Sequence, residues 1–130
     1  MADTIQVEIA PGELIDKITI LDIKKERISD AGKLANVAIE WQTLTAARDA
    51  SIPGSDTLDQ LTVALKAVNE ALWQIEDDIR DCERASDFGD RFIELARAVY
   101  ITNDKRAALK RDINELLGSR LVEEKSYAAY

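Results

Sequence analysis

Between Leu58 and Cys82 the apolar residues fall at Leu58, Leu61, Leu65, Val68, Leu72, Ile75, Ile79 and Cys82, in alternating steps of three and four without exception. That spacing predicts one long helix with an unbroken heptad seam. The rhythm resumes at Phe88 and runs through Phe92, Leu95, Val99, Leu109, Ile113 and Leu116, interrupted only where Thr102 and Arg106 stand at seam positions. The short connection SDFGD separates the two seams, so they can be registered as an antiparallel hairpin in which facing residues share one constant sum of residue numbers. Cys82 then faces Phe92, Leu65 faces Leu109 and Leu58 faces Leu116, while Thr102 and Arg106 come opposite Leu72 and Val68. Helix 3 is expected from a cap at Asp56 to about Ala85, and helix 4 from Asp87 or Gly89 to Leu117, with Asn103 and Asp104 marking a candidate kink.

Upstream, Pro11 suits the first turn of a helix, and GELIDKITILDIKKERI places acids early and bases late, as the helix dipole favours. Helix 1 is expected over about Pro11 to Ser29. Leu14, Ile15, Ile18 and Leu21 define one face, with Asp22 and Lys25 projecting into the same arc. Ile20 and Ile23 lie on the far side, so this helix needs cover on more than one flank, which a second chain would supply. Helix 2 follows from Lys33 to about Ala50, with Leu34, Val37, Ala38, Trp41 and Leu44 as its stripe, before SIPGSD breaks the chain. At the ends, Ile5, Val7 and Ile9 alternate with polar residues like a half-buried strand, and RLVEEKSY after Gly118 is its counterpart, so the two ends are expected to pair with each other or to reach another subunit. The expectation is therefore an all-α antiparallel bundle, one domain over residues 1–130, built on the long helix 3/helix 4 hairpin with a shorter helix 1/helix 2 hairpin against one side.

Charge and composition narrow what such a bundle can do. Acids outnumber bases by 25 to 17, and the net charge of −8 repels nucleic acid and anionic lipid. The one basic strip, Lys105, Arg106, Lys110 and Arg111, is interleaved with Asp104 and Asp112 and reads as a solvated helix face. The absence of histidine excludes Ser-His-Asp and Cys-His catalysis and every His-ligated metal. The single Cys82 sits in the seam as a small hydrophobe and permits no internal disulfide. No basic leader precedes an apolar run and no stretch is long enough to span a bilayer, so a cytoplasmic location without membrane contact is expected.

Candidate chemistry concentrates where the second seam is interrupted. Registration brings Asn69 beside Asn103 at the level of Thr102 and Arg106, with Glu76 and Trp73 on one flank of helix 3 and Tyr100 and Lys110 on the matching flank of helix 4. If helix 1 covers that flank, Asp22 and Lys25 join the same layer. The nine residues Asp22, Lys25, Asn69, Trp73, Glu76, Tyr100, Asn103, Arg106 and Lys110 then admit two readings. In one they form a pocket for a small anion, with Arg106 as a bidentate fork and Glu76 or Asp22 as acid or base if buried. In the other they form a self-satisfied network, Arg106 paired with Glu76 or Asp22, that fixes helix register. The run EDDIRDCE places Asp77 and Asp81, and Asp78 and Asp81, at helical spacings suited to a hard cation, but Arg80 and Arg84 among them serve as partners, and neither a metal nor a cofactor is expected.

The segments APGELIDKITILDIKKERI, LWQIEDDIR, FIELARAVYITNDKRAALKRDIN and VEEKSYAAY together resemble a family of small bacterial and phage proteins known as a domain of unknown function. The likeness spans nearly the whole chain and includes Asp22, Glu76, Asn103, Arg106 and Lys110, but implies no activity or catalytic residue. The functional expectation is a non-catalytic helical domain, a homo-oligomer acting through interaction or small-anion binding. The alternative is a small enzyme acting on a phosphorylated or carboxylated metabolite at the Arg106 layer.

Overall fold

The computed structural model describes residues 3–130 and contains four helices, α1 (Pro11–Arg27), α2 (Ala31–Ser51), α3 (Asp56–Arg84) and α4 (Asp90–Leu116). The α3–α4 hairpin forms as the two seams require. Leu58, Leu65 and Cys82 are buried on α3, and Leu95 and Ile113 on α4. Ile15 of α1 closes the central cluster over Leu58, Leu65 and Ile113, with Leu61 and Leu109 packed against it. Leu65 and Ile113 have no exposed surface, so truncating either to alanine would leave a cavity costing about 2–5 kcal/mol. The α4 helix runs through Asn103 and Asp104 without interruption.

The hub of the fold is α1, which packs on all three other helices, whereas α2 packs on α1 alone. Leu14, Ile15, Ile18, Leu21 and Ile23 are all buried, so α1 is covered on two flanks within the chain. The two covers are the α3–α4 hairpin and α2, with Ile20 left half-buried beside the hairpin. At the start of α1, Ala10 offers no side-chain cap, and the Gly12 N–H instead donates to Asn114 Oδ1 at 2.7 Å, across a separation of 102 residues. A Cβ at Gly12 would lie 2.4 Å from the Lys110 carbonyl oxygen, so only glycine lets α1 approach α4 this closely. Caps elsewhere are local: Asp30 accepts from Lys33 N–H, and Ser55 accepts from Leu58 N–H, one residue before the expected cap at Asp56.

The expected pairing of the two ends as strands is not found. Residues 4–10 belong to no helix and the described residues contain no strand, because an alternating segment forms a ladder only against a free edge and this bundle has none. The ends meet through an ion pair, Glu8 with Arg120, which leaves Ile5 and Val7 exposed. After Gly118, at φ +67°, the C-terminal segment turns back along α4. Arg111 donates to the Glu123 carbonyl oxygen at 2.6 and 3.1 Å and pairs with Glu124. Lys125 donates to the Asn103 carbonyl oxygen, and the Tyr130 hydroxyl donates to Asp104 at 2.6 Å. The basic strip of α4 is thus largely neutralised by the chain's own acids.

Candidate functional site

A polar layer does occupy the level where the α4 seam is interrupted, but its centre is Asp16. This carboxylate is completely buried, and the Arg106 guanidinium grips it bidentately, Nε to Oδ1 at 3.0 Å and Nη2 to Oδ2. Asn69 Nδ2 donates to Asp16 Oδ1 and to Thr19 Oγ1, both at 2.9 Å, and the Thr19 hydroxyl donates to the Asp16 carbonyl at 2.8 Å. Every member therefore has a partner on another helix or the adjacent turn, as a buried charge requires. The hydrogen bond that Arg106 donates to Asp16 raises the Arg106 pKa against the opposing cost of burial, and the charges of Asp16, Glu13 and Glu123 add to the rise.

One turn further along α4, Lys110 is buried between Glu13 of α1, at 2.7 Å, and Glu123 of the C-terminal segment, at 3.3 Å. Burial works against its ammonium, yet the hydrogen bond and charge of Glu13, with the charges of Glu123 and Asp16, outweigh it and raise the pKa. The Lys110 cation thereby ties the first turn of α1 to the returning C-terminal segment. Beside it, Asn114 spends its oxygen on Gly12, while its Nδ2 is buried with no partner.

Five of the nine expected residues, Asn69, Trp73, Glu76, Asn103 and Arg106, line one groove of about 340 Å³. Its apolar wall is Ile20, Ile23, Leu72 and Val99. The other four lie elsewhere. Asp22 accepts from Trp41 Nε1 at 2.7 Å and Lys25 sits 3.6 Å above the Trp41 ring, so both serve the α1–α2 contact and not the layer. Tyr100 stacks on Tyr130, centroids 5.2 Å apart, under the C-terminal segment. Lys110 belongs to the Glu13–Glu123 contact. Neither Glu76 nor Asp22 pairs with Arg106, and Glu76 instead meets Arg80 at 3.2 Å on the helix surface. Arg84 and Arg91 likewise engage Asp81 and Asp78, and among the described residues no group of three His, Cys, Asp or Glu side chains is placed to hold a metal.

Sequence reasoning missed Asp16, Thr19, Glu13, Asn114 and Trp41. The signal for the first two was present in helix 1 as a second seam, Gly12, Asp16, Thr19 and Ile23, spaced four, three, four and polar at its centre. A polar break in one seam has its partner in the polar break of another.

Fold and site together define a small helical-bundle domain locked by a buried Asp–Arg–Asn layer. The chain belongs to the family of unknown function DUF6165, whose sequence model matches residues 5–130. Neither the curated proteins nor the solved structures contain a match to it. No helix among the described residues is long and apolar enough to cross a membrane.

Proposed function

We propose that this protein is a non-catalytic interaction domain, in which the Asp16 layer is an internal lock and partners bind on the outer surface. The observation that carries this reading is the commitment of Arg106 to the fully buried Asp16. A guanidinium already neutralised by a bidentate carboxylate offers little field to an incoming anion. The next cation along α4, Lys110, is held by two glutamates. No strong acid–base pair faces the groove, since Glu76 is exposed and paired with Arg80.

The groove itself supports a second reading, that a small polar or carboxylate-bearing metabolite is bound or converted beside Arg106. It has the volume of a small-molecule site, and Asn103 and Trp73 line it with no side-chain hydrogen bond among the described residues. A thermal-shift series separates the two. With inorganic phosphate, sugar phosphates, nucleotides and dicarboxylates at millimolar concentration, the melting temperature is expected to stay within about 1 °C of the ligand-free value. A saturable rise with any of them, abolished by Asn103→Ala, would overturn the interaction-domain reading in favour of the ligand site.

A further inference from the structure

The α2 and α3 helices do not pack on each other, although only the turn from Ile52 to Ser55 joins them. Both lie against α1, and the space left between them is a cleft of about 500 Å³ lined by all three helices. Its floor is one face of α1, where Ile15, Ile18 and Asp22 fall within about 60° of one another around the helix axis. Leu58 of α3 extends the apolar part of that floor. Arg48 lines the wall on α2, and Asp59 and Thr62 line the wall on α3. A space of this volume is about 10 Å across, so one small molecule reaches all three helices. The cleft shares no lining residue with the Arg106 groove.

Its charged groups are incompletely matched. Asp22 is half-buried, and its Oδ1 accepts from Trp41 Nε1 at 2.7 Å while its Oδ2 accepts from no donor among the described residues. Asp59 makes no ion pair among the described residues. The lysines beside them are engaged elsewhere, Lys66 with Glu26 at 2.6 Å and Glu70 at 3.7 Å, and Lys25 on the Trp41 ring. Arg48 gives its Nε to the adjacent Asp49 at 3.0 Å, and its two Nη groups donate to no acceptor among the described residues. Three carboxylates, Asp22, Asp49 and Asp59, repel a simple anion from this guanidinium, and the guanidinium opposes a simple cation. A molecule carrying carboxylate and ammonium on one carbon, with a short apolar body, answers both signs and covers the floor.

We propose that the α1–α2–α3 cleft binds a free aliphatic α-amino acid, its carboxylate on the Arg48 Nη groups, its ammonium between Asp22 Oδ2 and Asp59, and its side chain over Ile18 and Leu58. Such a site goes beyond the interaction-domain reading and leaves the Arg106 layer as it is. Because α2 otherwise packs on α1 alone, the ligand would tie α2 to α3 and hold it in place.

The test uses the full chain, isotopically labelled, titrated with L-leucine and L-valine. Leucinamide, which lacks the carboxylate, and N-acetyl-leucine, which lacks the ammonium, are the comparisons. Both amino acids are expected to shift amide resonances around Asp22, Arg48 and Asp59 saturably, and each one-charge analogue to bind at least about tenfold more weakly. At a concentration about ten times Kd, amide exchange in α2 should slow about tenfold, because only the closed form binds. Arg48→Gln and Asp59→Asn, partly or fully exposed positions on different helices, are each expected to weaken binding at least about tenfold, and Glu76→Gln in the Arg106 groove to leave it unchanged. An analogue binding as tightly as leucine, shifts centred elsewhere, or no saturable response to either amino acid would each overturn the proposal. So would binding that leaves exchange in α2 unchanged, since the ligand would then not bridge the two helices.

Discussion

Replacing Arg106 by methionine keeps most of the aliphatic bulk of the side chain but withdraws both hydrogen bonds that the guanidinium gives to Asp16. Asp16 has no exposed surface, so its carboxylate cannot recover those bonds from water, and only the Asn69 donor remains on its side chain. Removing one member of a buried ion pair costs about 3–5 kcal/mol, because the charge left behind is uncompensated. The reverse change, Asp16→Leu, leaves an arginine that is 30% exposed and can turn its guanidinium into the adjoining groove, so its cost is smaller, about 1–3 kcal/mol. In the double variant Asp16→Leu/Arg106→Met both charges are gone, and Asn69 keeps Thr19 Oγ1 as acceptor. Its stability is expected within about 2 kcal/mol of wild type, well above the sum of the single losses. Urea unfolding followed by far-UV circular dichroism measures all four proteins, and their m-values test that the unfolded state is comparable. If Arg106→Met costs less than about 1 kcal/mol, or if the two single changes simply add, the layer is not the lock described here.

Two further outcomes follow from α1 and the groups around Lys110. Gly12→Ala places a methyl group 2.4 Å from the Lys110 carbonyl and 2.8 Å from Asn114 Oδ1, so despite the better helix propensity of alanine it is expected to destabilise by about 1–3 kcal/mol, read as a lower urea midpoint. The raised pKa of Lys110 contributes stability that is fully present below the ordinary lysine value of 10.5 and is lost as pH climbs through the higher value of the folded state. Thermal melts should therefore show no Lys110-dependent slope near neutrality and a decline at strongly alkaline pH that is shallower in Lys110→Met.

The hairpin was legible because a heptad seam constrains every position at once: a single shift of register would have put Leu65 or Ile113 in water, and both are fully buried. The existence of a polar layer was legible for the same reason, since Arg106 at a seam position must find a partner. Which acid answers it was not. Asp22 and Asp16 both lie on α1 but about 120° apart around it, and the choice depends on which face of α1 is turned to the hairpin, which Gly12, in the same row as Asp16, sets by its close approach to Lys110. Trp41 then captures Asp22 on the other side of α1, a contact that no periodicity reports. Lys110 was expected in the Arg106 layer but lies apart from it, because its partners come from opposite ends of the chain, Glu13 and Glu123, and sequence spacing carries no information about such pairs. The terminal segments misled because alternation measures compatibility with a sheet and says nothing about whether an edge exists to receive it.

The attachment of α2 has a consequence for how the molecule breathes. A helix that packs on one neighbour, with Val37 and Thr45 as its only buried residues, can detach without opening the cluster formed by Ile15, Leu58, Leu65 and Ile113. Its amides are therefore the ones to exchange with solvent through partial opening, at a free energy below that of global unfolding, while those of α3 and α4 near Leu65 and Ile113 wait for the whole structure to come apart. The bundle is a three-helix body with a detachable fourth, and sequence change on the outer face of α2 should be the most freely tolerated in the helical part of the chain.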